Sequence, residues 1–219
     1  MRDTGDGWTL SVTHDGQQEQ LEFDYAILSI GQYAEQKYRP EFSGESTFQG
    51  QVITERDVKS LEMFRDKKVA VVGFGKSAVD MCAFAAPYAH SVSHVFRTPR
   101  WLVPFRLLGA HYSYPFFARA TTFFMPSWVH SGRFEHLAHR YLGYCVSSFW
   151  RMIGAVVRFH IRGNADADVT EAEERLRRVT PTHSFAVDMR SATAMVPVNY
   201  YSMVADSAIE PHHAEVKGF

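Results

Sequence analysis

The fold is decided by the stretch Lys68-Val-Ala-Val-Val-Gly-Phe-Gly-Lys-Ser-Ala-Val-Asp80. Its first five residues, a lysine and four apolar residues, predict a buried strand of a parallel sheet, and the glycines after them predict a tight turn. Good helix formers then extend from Ser77 to Ala89, and residues 91–96 alternate as a second strand does. A strand, a glycine-rich turn, a helix and a strand within about thirty residues are typical of a βαβ unit, which predicts an α/β fold.

The turn has the dinucleotide-binding spacing, with glycine, glycine and alanine at positions 73, 75 and 78. The first glycine permits the tight turn, the second lets the backbone approach a pyrophosphate, and the small alanine allows the helix to pack closely on the strand. The N-terminus of the helix favours an anion, and a serine hydroxyl and a lysine charge can assist. The predicted cofactor-binding residues of the turn are Gly73, Phe74, Gly75, Lys76, Ser77 and Ala78. The alternative interpretation is a tight turn that holds no ligand.

The end of the second strand indicates which dinucleotide is preferred. An NAD site places an acidic residue about twenty positions after the first glycine, where it binds the ribose hydroxyls. Here Arg97 stands 24 positions after Gly73, and Thr98 and Arg100 follow. Because arginine can bind a phosphate through two parallel hydrogen bonds, this corner favours the 2′-phosphate of NADP(H) over NAD. The alternative is a pair of solvated surface arginines.

The residues before the βαβ unit predict further strands. Residues 8–13 alternate, Asp15-Gly16 is a hairpin turn signal, and the returning strand carries Leu21 and Phe23. Three more segments are expected after the hairpin: a buried strand at 25–30 that ends at Gly31, a connection at 32–45, and a short strand at 51–53.

The region after Trp101 is rich in aromatic residues and predicts several helices. A capping box that begins at Thr170 opens a helix running to Arg178. The tail at 195–219 has the pattern of strands whose sheet is incomplete. Arginines and prolines interrupt every apolar run of the aromatic region, so no membrane span is expected. Helical packing is the favoured role of residues 101–160, and a substrate channel, a lid or a membrane-surface patch are the alternatives.

Composition limits the classes of function. The 219 residues carry 23 Lys and Arg against 24 Asp and Glu, and this balance argues against a nucleic-acid-binding protein. Two cysteines, Cys82 and Cys145, cannot form a disulfide framework, and no metal-ligand spacing is present, so we expect no metal and a reduced, cytoplasmic setting. Cys82 is expected to pack in the core and Asp80 to interact with the helix dipole or the loop, which leaves the catalytic residues unassigned.

Several segments resemble flavin-containing monooxygenases and their Baeyer–Villiger and N-hydroxylating relatives. The segments similar to the family's NADPH-binding part are Gly73-Phe-Gly-Lys-Ser-Ala-Val-Asp80 and Phe96-Arg-Thr-Pro-Arg-Trp-Leu-Val-Pro104. The segments similar to its flavin-domain strands and connections are Ala26-Ile-Leu-Ser-Ile-Gly31, Pro40-Glu-Phe-Ser-Gly44 and Met195-Val-Pro-Val-Asn-Tyr-Tyr201. The family's Phe-x-Gly-x-x-x-His signature aligns with residues 48–54, where Thr54 replaces the histidine, and Val58 replaces an aromatic residue.

The resemblance implies a Rossmann-like NADPH-binding domain with a helical, aromatic-rich insertion, flanked by β-strands of an incomplete FAD domain. The implied ranges are 1–47 for FAD-domain strands and linker, 48–190 for the NADP(H)-binding domain with the insertion at about 101–180, and 191–219 for the return to the FAD domain. Gly31 is implied as a further cofactor-binding residue. The family's FAD fingerprint does not precede Trp8, so the chain resembles an internal piece of such an enzyme.

The function implied is that of a monooxygenase: NADPH reduces FAD, and the reduced flavin and O₂ oxygenate nitrogen, sulfur or a carbonyl group of a small-molecule substrate. The alternative is a non-catalytic NADP(H)-binding module or a decayed fragment.

Overall fold

The computed structural model divides the chain into two compact units, Met1–Pro40 and Glu41–Phe219. The residues that it describes are 2–3, 5, 7–27, 40–107, 109–111, 123–124, 132–162, 169–189, 194–197 and 199–218. Gly31 and the second half of the strand predicted at 25–30 lie outside the described residues, and residues 25–27 are not in a strand. The three domain ranges implied by the resemblance stay predictions.

The first unit is a three-stranded antiparallel sheet in the order β1-β2-β3. Its strands are β1 (Arg2–Asp3), β2 (Trp8–His14) and β3 (Gln17–Phe23). The turn between β2 and β3 uses left-handed backbone at both central positions, with φ of 49° at Asp15 and 79° at Gly16. This two-residue turn matches the twist of the strands, which confirms the predicted hairpin.

The second unit contains the predicted βαβ crossover. It consists of β4 (Lys68–Val72), α1 (Lys76–Ala85) and β5 (Ser91–Phe96). The two strands pair in parallel, from Lys68 opposite Ser91 to Val72 opposite Val95. The helix ends four residues earlier than predicted, close to Pro87, which has no N–H to continue the helical hydrogen bonds.

A third strand, β10 (Glu210–His213), completes this sheet in the order β10-β5-β4. It runs parallel to β5, with Glu210 opposite Ser93 and His213 opposite Phe96. The expectation that the tail strands lack a complete sheet is therefore wrong for this segment. Its polar residues gave no sign of a buried sheet, and it is a strand because the backbone edge of β5 is available for pairing.

The other edge of the sheet departs from the prediction as well. Val69 and Val71 of β4 are half-buried, whereas Ala70 and Val72 on the opposite face are exposed. The apolar run predicted burial of both faces. In the described structure α1 packs against β4 and covers only one of them.

The region after Trp101 begins with strands, not with the expected helices. They are β6 (Leu102–Pro104), β7 (Arg106–Leu107) and β8 (Ala110–His111), and β6 pairs in parallel with β9 (Ala194–Val196). The helices that follow are α2 (Arg133–Tyr141), α3 (Gly143–Arg162), α4 (Val169–Arg178), α5 (Phe185–Met189) and α6 (Tyr200–Ala205). The predicted helix from Thr170 to Arg178 is confirmed to within one residue. No helix in these described ranges is long and apolar enough to cross a membrane.

Three short 3₁₀ helices precede β4 in the sequence of the second unit. They cover Glu45–Thr47, Glu55–Asp57 and Leu61–Phe64. The strand predicted at 51–53 is absent, and the chain there leads into the second of these turns.

The core of the second unit is built around aromatic side chains. The buried stripe of α3 includes Trp150 and Val157, and at Gly154 it lies against Trp101 and Phe185, where a Cβ would be 3.6 Å from both side chains. Other aromatic residues of α2 and α3 are exposed, among them Phe134, Tyr141, Tyr144 and Phe159. Helical packing thus accounts for only part of the aromatic excess. The observed architecture is mixed α/β, as predicted.

Candidate functional site

The glycine-rich turn between β4 and α1 has the geometry that its sequence requires. Gly73 has a φ of 116°, which L side chains rarely adopt, and its N–H donates to the Val95 carbonyl at 2.9 Å. A Cβ at Gly73 would lie 3.8 Å from the Cβ of Ala78. The turn therefore needs glycine for its backbone, and a residue larger than alanine at 78 would approach it more closely.

The second glycine of the turn faces open space. Gly75 is the residue before the first helical residue of α1, with an ordinary φ of −82°. Among the described residues, a Cβ built on Gly75 has no atom within 4 Å other than those of its chain neighbours. Neither the backbone nor the packing of this protein explains the glycine, but the close approach of a ligand to the backbone would.

The other predicted residues of the turn have different environments. Phe74 is 5% exposed and its ring belongs to the core, so its side chain is not part of a surface that a ligand could contact. Ser77 and Ala78 are half-buried in the first turn of α1. Lys76 forms an ion pair with Asp80, with its Nζ 2.5 Å from the carboxylate oxygens. The carboxylate therefore already neutralises much of the lysine charge that was predicted to assist phosphate binding.

The predicted basic corner follows β5 directly. Arg97 and Thr98 are exposed, and Arg97 has a distant ion pair with Glu215, 4.0 Å between Nη1 and Oε1. The carboxyl ends of parallel strands lie at one edge of a sheet. Gly73 and Arg97 come immediately after β4 and β5, so the turn and the basic corner share that edge.

Arg100 differs from Arg97 because a buried group anchors it. Its Nη1 donates to Oδ1 of Asp188 at 3.0 Å. Asp188 also accepts hydrogen bonds from the Trp101 backbone N–H at 2.7 Å and from His183 at 2.8 Å. Burial alone would raise the pKa of the Asp188 carboxyl, but these donors outweigh it and hold the pKa below its usual value.

Two buried polar residues near the site were missed by sequence reasoning. Asp188 carried no signal, since its partners Trp101 and Arg100 are 87 and 88 positions away. His94 did carry one: the alternation of β5 places it on the same face as Val92 and Phe96, and a histidine on an apolar face needs hydrogen-bond partners. Its ring nitrogens contact the Gly73 carbonyl at 2.6 Å and the Tyr200 hydroxyl at 2.8 Å.

The remaining candidates are structural. Cys82 is buried in α1, and burial raises the pKa of its thiol, which disfavours the nucleophilic thiolate. Within the described residues, no group of three His, Cys, Asp or Glu could hold a metal ion. Thr54, at the position of the family histidine, caps the 3₁₀ helix at Glu55–Asp57, with its hydroxyl 2.8 Å from Asp57.

Curated relatives match parts of the chain. A putative flavin-containing monooxygenase 2 of Arabidopsis thaliana is 31% identical over 112 residues, which is 44% of this chain and 24% of the relative. Flavin-containing monooxygenase 1 of Oryctolagus cuniculus is 34% identical over 87 residues, 39% of this chain and 16% of the relative. The chain thus spans about a quarter or less of the length of these two relatives.

A solved structure shares the fold over most of the chain. Cyclohexanone monooxygenase from Rhodococcus sp. Phi1, bound to NADP+, aligns with a TM-score of 0.55 at 16% identity, over 93% of this chain and 42% of that one. The sequence profile of the flavin-binding monooxygenase-like family matches residues 2–134, a range that includes the hairpin, the glycine-rich turn and the basic corner. With more than half of its residues matched, the chain belongs to the flavin-binding monooxygenase-like family.

Proposed function

We propose that this chain is the NADP(H)-binding part of an FAD- and NADPH-dependent monooxygenase, with a Rossmann-like βαβ unit as the dinucleotide site. The observation that carries the proposal is the open space at Gly75. Gly75 has an ordinary φ, and the space that its Cβ would occupy is empty in the described structure. A ligand that lies against the backbone at this point explains why the residue is glycine.

In this proposal the pyrophosphate lies on the turn between β4 and α1. The first turn of a helix presents backbone N–H groups and the positive end of the helix dipole, both of which favour an anion. Gly75 leaves room for the pyrophosphate, while Gly73 and Ala78 keep the helix close to the strand. Ser77 can add a hydroxyl donor.

The 2′-phosphate of NADP(H) binds at the basic corner in this arrangement. Arg97 and Thr98 are exposed at the end of β5 and can reach a ligand from the same sheet edge as the turn. The contact between Arg97 and Glu215 is long and exposed, so a phosphate with two negative charges competes for the guanidinium successfully. Arg100, which Asp188 holds in place and partly neutralises, adds further N–H donors.

The reaction proposed for the whole protein is supported by membership of the flavin-binding monooxygenase-like family and by relatives that match part of this chain. When bound, NADPH supplies the electrons and the flavin activates O₂, and the protein contributes binding and orientation. A solved structure of OTEMO with FAD and NADP covers 93% of this chain at a TM-score of 0.52 and 17% identity, so it supports the fold. We propose nitrogen, sulfur or carbonyl groups of small molecules as the sites of oxygenation.

A second candidate function is a non-catalytic NADP(H)-binding module. It is favoured by the local role of Thr54, whose hydroxyl and N–H both bind the Asp57 carboxylate where the family has a histidine. The visible spectrum of the purified chain separates the two candidates. Flavin absorption that NADPH bleaches supports the monooxygenase, and a protein that binds NADPH but takes up no flavin when incubated with FAD supports the module.

The variant Gly75→Ala tests the dinucleotide site. Because the added methyl group meets no atom in the described part of the chain beyond its neighbours in sequence, we expect a melting temperature equal to or slightly above that of the wild type. The same methyl group would lie between the backbone and the pyrophosphate, so the Kd for NADPH should rise by about tenfold or more, which is about 1.4 kcal/mol. Titration calorimetry and thermal melts give both numbers. An unchanged Kd, or a wild-type chain that does not bind NADPH, would overturn the site.

A further inference from the structure

His94 lies at the centre of a contact between three elements. It is a fully buried residue of β5, and its ring joins the glycine-rich turn to α6. Its Nε2 lies 2.6 Å from the carbonyl oxygen of Gly73, and its Nδ1 lies 2.8 Å from the hydroxyl oxygen of Tyr200. No other polar contact of its side chain is needed, since these two partners satisfy both ring nitrogens.

The partners determine where the proton of His94 lies. A carbonyl oxygen can only accept a hydrogen bond, so Nε2 must carry the proton and donate it to Gly73. In the neutral ring Nδ1 is then an acceptor, and the Tyr200 hydroxyl donates to it. Only one neutral tautomer satisfies both contacts.

Aromatic packing fixes the orientation of the ring. Phe74 stacks on His94 with centroids 5.0 Å apart and planes 17° apart, and Phe96 contacts it at 4.9 Å and 60°. Tyr200 is itself fully buried on α6. The imidazole therefore cannot rotate to other partners without disturbing the core.

The peptide between Gly73 and Phe74 connects His94 to the side of the turn on which a ligand would bind. In a trans peptide the carbonyl and the following N–H point in opposite directions. The Gly73 carbonyl points into the core towards His94, so the N–H of Phe74 points the other way, out of the core. Because residue 73 is glycine, this peptide plane is freer to rotate than it would be with any other residue. The hydrogen bond from His94 to the Gly73 carbonyl fixes its orientation.

We propose that His94 and Tyr200 are a positioning pair for the pyrophosphate turn, which set the direction of the Gly73–Phe74 peptide and thereby orient its N–H towards the dinucleotide. The proposal rests on the proposed function, because it assumes that the turn binds a pyrophosphate. The pair acts through the peptide and does not contact the ligand. Its effect is therefore the same for NADPH and NADH, which share the pyrophosphate.

The test compares four variants of the purified chain. His94→Leu removes both hydrogen bonds, whereas His94→Gln keeps an amide that can donate to Gly73 and accept from Tyr200. Tyr200→Phe removes only the outer hydrogen bond. Tyr201→Phe is the matched control, since the neighbouring Tyr201 hydroxyl is equally buried and has no hydrogen-bond partner within the described residues.

Dissociation constants for NADPH and NADH are measured below the melting temperature of each variant, so that loss of stability alone does not change them. We expect His94→Leu to raise both constants by the same factor, about tenfold, and His94→Gln to restore most of the affinity. Tyr200→Phe should give roughly a threefold rise and Tyr201→Phe none. Equal affinities in His94→Leu and wild type would overturn the positioning role, as would a His94→Gln variant as weak as His94→Leu.

Two outcomes separate this proposal from the proposed function. If the wild type binds neither dinucleotide, the function fails, and the proposal fails with it. If the wild type binds both dinucleotides and the His94 variants bind them with the same dissociation constants, the positioning role alone fails. Should His94→Leu not fold, ¹⁵N NMR of the wild type still decides the geometry: protonated Nε2 and unprotonated Nδ1 are expected for His94, and the opposite tautomer would refute the pair.

Discussion

The guanidinium of Arg100 and the carboxylate of Asp188 form an ion pair in which the acid is fully buried and the base is 44% exposed, with Nη1 and Oδ1 3.0 Å apart. Removing one partner of a buried pair leaves an uncompensated group, which costs more than the pair itself contributes. Asp188 also accepts from the Trp101 backbone and from His183. It therefore ties the chain after β5 to α5.

The variant Asp188→Asn tests the importance of this carboxylate. We expect the free energy of unfolding to fall by about 3 kcal/mol, because the amide cannot accept from all three donors and leaves the arginine unpaired. Urea unfolding followed by circular dichroism measures the change. Glu62→Gln is the control, since Glu62 forms an exposed pair with Arg65 and its loss should have little effect. Equal losses in both variants would show that burial of Asp188 is unimportant.

Stability should depend on pH through His94. Burial lowers the pKa of His94 to about 4 from 6.5, although the bond to the Gly73 carbonyl acts in the opposite direction. The unfolded chain therefore binds more protons than the folded one between pH 4 and 6.5, and stability must rise with pH across that window. The contribution is at most about 3 kcal/mol, is fully present above pH 6.5, and is lost as pH falls towards 4.

Urea unfolding at a series of pH values in wild type and His94→Gln measures this linkage. The difference between the two proteins should shrink as the pH falls, because glutamine does not titrate. Burial also lowers the pKa of His160, so His160→Gln serves as a comparison for a partly buried histidine. Parallel curves for wild type and His94→Gln would contradict a depressed His94 pKa.

The variant Arg97→Ala tests the assignment of the 2′-phosphate. Loss of a charged hydrogen bond to phosphate should raise the Kd for NADPH by roughly 10- to 100-fold and leave the Kd for NADH almost unchanged. Arg162→Ala is the matched control, an exposed arginine at the end of α3. Equal losses for both dinucleotides in Arg97→Ala would remove the 2′-phosphate from this corner.

Gly73 and Gly143 provide a matched test of the turn's backbone. Gly73→Ala places a side chain at a φ of 116°, and we expect a loss of about 1–3 kcal/mol in the free energy of unfolding. Gly143→Ala, at the start of α3, meets no atom within 4 Å and should keep or slightly raise stability. Chemical unfolding of both variants provides the comparison. A Gly73→Ala variant as stable as wild type would mean that the turn can adopt another backbone conformation.

Local patterns predicted the parts of the fold in which neighbours in sequence are neighbours in space. The hairpin at Asp15-Gly16 and the βαβ unit from Lys68 to Phe96 have that property, since turn residues and apolar periodicity are local signals. Local patterns could not predict that β10 joins this sheet, because it pairs with the edge of β5, more than a hundred residues earlier in the sequence. The pairing of β6 with β9 has the same origin.

The candidate site divides in the same way. Glycine spacing predicted a tight turn after β4, and the structure has this turn, with a φ of 116° at Gly73, whereas binding of a dinucleotide there stays a prediction. The anchors of the site, His94 with Tyr200 and Arg100 with Asp188, join residues 88 or more positions apart. Such pairs depend on tertiary packing: His94 left a local signal as a histidine on the apolar face of β5, but nothing local identified its partner.

β5 pairs with β4 on one side and with β10 on the other, and this order affects folding during synthesis. β4 ends shortly before β5 begins, but Glu210 pairs with Ser93 across 117 positions of sequence. Contacts of such separation form slowly, because a long loop must close before they gain any stability. During synthesis from the N-terminus, one edge of β5 therefore stays unpaired until residues 210–213 have left the ribosome. In that interval the open strand edge is exposed to pairing with other chains, so β10 also protects the nascent protein from aggregation.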